Sequence, residues 1–75
     1  MMITAETIRM IRRVHGLTHR KMASDIGVSH RMVQLMEAGK RVITDKTSRA
    51  ITDAYELTPD KLTRIKAAYS EFQAR

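Results

Sequence analysis

Residues 19–39 read HRKMASDIGVSHRMVQLMEAG, and their apolar spacing follows the period of a helix, not the alternation of a strand. Thr18, just before the stretch, is a good N-cap; Met22, Ala23 and Ile26 share one face, and Gly27 ends the helix. Ser29 caps a further helix that turns Val33 and Met36 inward and stops at Gly39. Ala23 is small where two such helices would cross, so their backbones can approach closely, and Gly27 takes a positive φ without Cβ strain. Two short, separately capped helices around a glycine are the minimum for a helix-turn-helix, whose second helix lies in the major groove of duplex DNA.

The flanks of this stretch add three more helices and no strand. The first is predicted over 5–14, with Thr4 as N-cap, Ile8 and Ile11 as a core pair and Gly16 as its stop. The fourth begins near Thr44 or Asp45 and places Thr47, Ala50, Ile51 and Ala54 on one stripe, with a poorly marked end near Glu56. The fifth is predicted over 59–74, because Thr58, Pro59 and Asp60 form a consistent start signal. Leu62, Ile65, Tyr69 and Phe72 make its apolar stripe. The expected fold is all-α: one compact five-helix domain over 1–75, with a helix-turn-helix over about 18–38 and an extended C-terminal helix.

Length and composition agree with one small domain. The chain has 75 residues, 43% of them hydrophobic, enough for a modest core. It lacks cysteine, which excludes a disulfide framework, a thiolate metal site and a cysteine nucleophile. No uncharged apolar run approaches the roughly 18 residues of a membrane span, and the N-terminus lacks the order of a signal peptide, so a cytoplasmic location and no membrane partner are expected. The net charge is +6, and residues 1–43 carry eight cations against three acids. A compact basic domain of this kind is biased towards a polyanion, which the basic half should touch. His15, His19 and His30 lie close in sequence, but the one i, i+4 interval straddles Gly16, so no metal is expected. No nucleophile has a nearby base and no glycine-rich loop could cradle a nucleotide; a non-enzyme without cofactor is expected.

Several segments, in order, resemble the Cro and phage-repressor family of helix-turn-helix regulators, the XRE or lambda-repressor-like proteins. Besides the stretch above, IRRVHGLTHRKMA at 11–23 is similar to that family's first-helix arginine, glycine and capped second helix. MEAGKR at 36–41 resembles its Glu-x-Gly-Lys/Arg, and YELTPDKL at 55–62 its entry to the fifth helix. The resemblance implies an ion pair between Arg12 and Glu37 that joins the first helix to the third, and a phosphate contact at His19. Two features depart from the family pattern. His19, Arg20 and Lys21 follow Thr18 where the family usually has glutamine and two acids, and Glu56 stands where it often has glycine. Cations there oppose the helix dipole, and a bound phosphate would reverse that sign.

On the third helix, 100° per residue puts Arg31, Leu35 and Ala38 opposite the core, flanked by Gln34 and Met32, with His30 in the first turn. His30, Arg31 and Gln34 are the expected polar base readers; Leu35 and Met32 offer apolar contact to thymine methyl groups. Thr18, His19, Arg20, Lys21, Lys40 and Arg41 are the expected phosphate contacts. Tyr69 and Phe72 are expected to project past the core as a homodimer interface, which would suit an inverted-repeat operator. The leading expectation is a small phage or prophage repressor that regulates by occupancy, having no effector domain. The alternatives are an antitoxin-like protein that also holds a toxin or antagonist, and a protein-interaction module of the same fold using Met32, Leu35 and Ala38. RNA binding is weaker, for want of stacking aromatics.

Overall fold

A computed structural model describes residues 3–73. Five helices follow one another: α1 (Ala5–Val14), α2 (His19–Ile26), α3 (His30–Glu37), α4 (Asp45–Ala54) and α5 (Pro59–Gln73). Every start is set by a hydroxyl. The backbone N–H groups of Thr7, Lys21, Met32, Thr47 and Lys61 donate to the side chains of Thr4, Thr18, Ser29, Thr44 and Thr58 at 3.0–3.2 Å. Each cap satisfies an N–H that the first turn leaves without a helical partner. The stop of α2 is Gly27 at φ 74°, ψ 35°, the left-handed conformation glycine adopts at no steric cost.

The apolar stripes converge on one core. Ile8, Ile11, Met22, Val33 and Ile51 are fully buried, and Met36 nearly so. Around them lie Ile3, Met10, Ala23, Ile26, Leu57, Ile65 and Tyr69. α2 packs on α3, α1 on both α3 and α5, and α2 on α4. The helix-turn-helix is thus braced from behind by α1 and along its flank by α4.

Two expectations about burial change. Tyr69 does not project: it is only 7% exposed and belongs to the monomer's own core, while Phe72 is 56% exposed. Tyr69 lies one turn beyond Ile65 and still rests over α1, where Thr4, Thr7 and Met10 share its surroundings, whereas Phe72 is almost a further turn along. Ala54, assigned to the inner stripe of α4, is exposed because the helix ends there. Ala74, the expected last residue of α5, lies outside the described residues.

The doubtful end of α4 has a specific form. Tyr55 caps the helix, and Glu56 follows at φ 49°. A non-glycine residue occupies the left-handed turn that hands α4 over to Leu57 and the start of α5, at the position where a glycine would be free of Cβ strain.

Candidate nucleic-acid interface

The outward face of α3 is set by burial of Val33 and Met36, 0% and 1% exposed. Arg31, Gln34 and Ala38 are exposed on the opposite side, with His30 and Leu35 half-buried beside them. Met32 leaves this face. It is half-buried and packed against the core, because it stands four residues, or about 40°, from inward-facing Met36.

Of the expected phosphate contacts, Arg20, Lys40 and Arg41 are exposed, as is Thr18, whose hydroxyl is used in capping. Val42 follows the basic pair and is 80% exposed. The other two side chains already have partners. His19 Nε2 lies 3.1 Å from Glu37 Oε2, and Lys21 Nζ lies 3.1 Å from Asp25 Oδ1.

The charges along α2 and α3 run against the helix dipole, whereas those of α1 follow it and α4 and α5 carry both signs, with Lys46 and Lys61 near their starts and Asp53 and Glu71 near their ends. α1, α4 and α5 carry Glu6, Asp45 and Asp60 in their first turns, and α1 ends on Arg12 and Arg13. α2 instead opens on His19, Arg20 and Lys21 and carries Asp25 near its end; α3 opens on His30 and Arg31 and ends on Glu37. Each misplaced charge costs a few tenths of a kcal/mol in isolation, and an anion at the N-terminus turns the sign of the term.

Glu37 gathers the motif. Arg12 reaches it from α1 in a two-pronged pair, Nε to Oε1 at 2.7 Å and the terminal nitrogen to Oε2 at 3.1 Å. His19 reaches it from α2. Arg9 donates to the Glu37 carbonyl at 3.3 Å, and Arg12 also donates to the Leu17 carbonyl at 3.3 Å. One carboxylate therefore ties α1 and α2 to the end of α3. Burial pushes the Glu37 carboxyl up, but the bonds from Arg12 and His19 outweigh it and hold the group below the ordinary glutamate value.

A second polar cluster joins elements that the sequence did not connect. Tyr55 O–H donates to Asp25 Oδ2 at 2.9 Å, tying the end of α4 to α2. Lys61 Nζ donates to the Tyr55 carbonyl at 2.5 Å. The Tyr55 ring stacks on His15 at a centroid distance of 6.0 Å. His15 is exposed at the end of α1, its Nδ1 2.9 Å from the Ile11 carbonyl. Hydrogen bonds from Lys21 and Tyr55 hold the Asp25 carboxyl below its ordinary value, and burial together with Asp25 raises the Tyr55 phenol. The Lys21–Asp25 spacing of four was visible in the sequence; Arg9 and Tyr55 left no local signal.

Among the described residues no helix is long and apolar enough to cross a membrane. The family described as helix-turn-helix domain matches residues 5–65 of the chain. Among curated proteins and solved structures nothing matches.

Proposed function

The chain belongs to the helix-turn-helix domain family, a DNA-binding fold, and from that premise we propose a sequence-specific regulator of transcription of the small phage- or prophage-repressor kind, reading duplex DNA with α3. The observation that carries the reading is the reversed charge order of α2 and α3, the two helices of the motif. Their cations crowd the N-termini, where a phosphate compensates what the dipole opposes. In helix-turn-helix docking the first helix of the pair crosses the backbone and the N-terminal residues of the second reach base edges. On that geometry Arg31 suits guanine O6 and N7, Gln34 suits adenine N6 and N7, His30 adds a first-turn donor, and Leu35 offers apolar contact. Arg20, Lys40 and Arg41 then grip phosphates, and Arg12 with Glu37 keeps α3 at its angle to the rest of the domain.

Enrichment from a random duplex pool tests the reading. The expected product is an inverted repeat with half-site centres about one helical turn apart; a pool with no enriched sequence overturns it. On the enriched site Arg31→Ala should cost about 1–3 kcal/mol and relax one base position, whereas Arg41→Ala should weaken every duplex alike. The inverted repeat would go with a homodimer, for which exposed Phe72 is the remaining candidate contact. The same ring favours, as a second reading, an antitoxin-like role in which a protein partner covers it, and co-purification of a defined partner in place of DNA selectivity distinguishes that case.

A further inference from the structure

We propose that Asp25 sets how tightly α2 grips the DNA backbone, by holding the Lys21 ammonium in competition with a phosphate. The inference rests on the DNA-binding reading above. Lys21 stands in the first turn of α2, the helix that crosses the backbone in this docking mode. Its ammonium is drawn along the helix, away from that N-terminus, to Asp25 Oδ1 one turn later at 3.1 Å.

Helix stability does not account for this pair. A cation in the first turn and an acid in the last both oppose the dipole, and the lysine-before-acid order is the weaker one at this spacing. Nor is Asp25 free to swing away: its other oxygen accepts the Tyr55 hydroxyl at 2.9 Å, so the end of α4 fixes the carboxylate. Bonds from Lys21 and Tyr55 also favour the charged form of Asp25. The lysine side chain remains 63% exposed, so its ammonium can exchange Asp25 for an approaching phosphate by rotamer changes alone. With His19 likewise held by Glu37, Arg20 is the one first-turn basic group of α2 without a side-chain partner among the described residues.

The test is a double-mutant cycle read as salt-dependent binding to a short duplex of mixed sequence. Asparagine keeps an acceptor for Tyr55, so Asp25→Asn removes the charge without removing that bond. D25N should bind more tightly than the parent and steepen the slope of log K against log salt by up to about 0.9, one phosphate contact. Its advantage should therefore shrink by roughly threefold between about 50 and 200 mM salt. In the K21Q background the same Asp25 substitution should change neither quantity appreciably. Lys21→Gln alone should cost little in the parent and the slope of about one phosphate in the D25N background.

An equal gain from D25N with and without Lys21 would mean that only net charge matters, and would overturn the proposal. So would an unchanged slope in D25N, or a drop of about 0.9 in slope when Lys21→Gln is made in the parent. If the parent shows no salt-dependent duplex binding at all, it is the DNA-binding reading that fails, and this one falls with it.

Discussion

Glu37 is the residue on which most of the motif's geometry depends. Its side chain is 13% exposed and that of Arg12 16%, between a solvated surface pair worth at most about 1 kcal/mol and a buried one whose breakage costs about 3–5 kcal/mol. Arg12→Ala should therefore cost about 2–3 kcal/mol, enough to lower the melting temperature by many degrees in a domain this small. A melt within a degree or two of the parent would show that the pair contributes nothing. The pH dependence has a definite sign. Because the folded-state value of Glu37 is depressed, its contribution is complete above the ordinary glutamate pKa of about 4.3 and is lost as pH falls through the lower folded value. Glu37→Gln should flatten the decline in melting temperature between about pH 5 and pH 3. Asp25, depressed for its own reason, supplies the same sign, so some acid sensitivity should persist in that variant. A parent and an E37Q protein with superimposable acid melts would contradict the assignment.

At the scale of the helices, local chemistry does nearly everything. Five hydroxyl caps start the helices, and glycines end the first three. The exception is Glu56 at φ 49°. A left-handed residue with a Cβ costs about 1–2 kcal/mol, and glycine at the same place gives back about 0.5–1 kcal/mol in chain entropy. Glu56→Gly should on balance stabilise the domain by about 0.5–1 kcal/mol, a rise of a few degrees in a thermal melt. Gly27 is the mirror case. An added Cβ would meet no atom within 4 Å there, so by the same balance Gly27→Ala should cost about 0.5–1 kcal/mol. An unchanged or lowered melting temperature for Glu56→Gly would mean that the turn is held by something other than backbone preference.

For the whole molecule the decisive feature is where α5 places its aromatic rings. Tyr69 is a core residue and Phe72 a surface one, so the two cannot be removed as one dimer patch. Truncation after Ala67 deletes both, and loss of a buried aromatic costs about 3–5 kcal/mol against roughly 4–11 kcal/mol for a domain of this length. The truncated chain should lose a large part of its stability and melt far below the parent, which circular dichroism would show directly. Phe72→Ser should leave the melt within about 0.5 kcal/mol of the parent. If that ring is the homodimer contact, the variant sediments as a monomer and loses affinity for a full inverted repeat while half-site binding persists. A parent that is already monomeric at high concentration and on DNA would remove the dimer from the functional reading.

Features with a range of about one helical turn are legible along the chain. Caps, glycine stops and the inward stripes of Met22–Ala23–Ile26 and Val33–Met36 depend on neighbours at most four residues away along the chain. The all-α fold and the helix-turn-helix followed from them. The Arg12–Glu37 pair, 25 residues apart, came from a family resemblance and not from periodicity. Which face of α5 meets α1, and hence the burial of Tyr69, follows from the packing of the helices on one another. That packing also gave His19 a partner 18 residues away and brought Tyr55 to Asp25 across 30 residues. These outcomes turn on the angles between helices, which arise from how all the side chains of the core fill one shared volume. No single segment contains that information, because a helix's period says which residues share a side and not what lies against it.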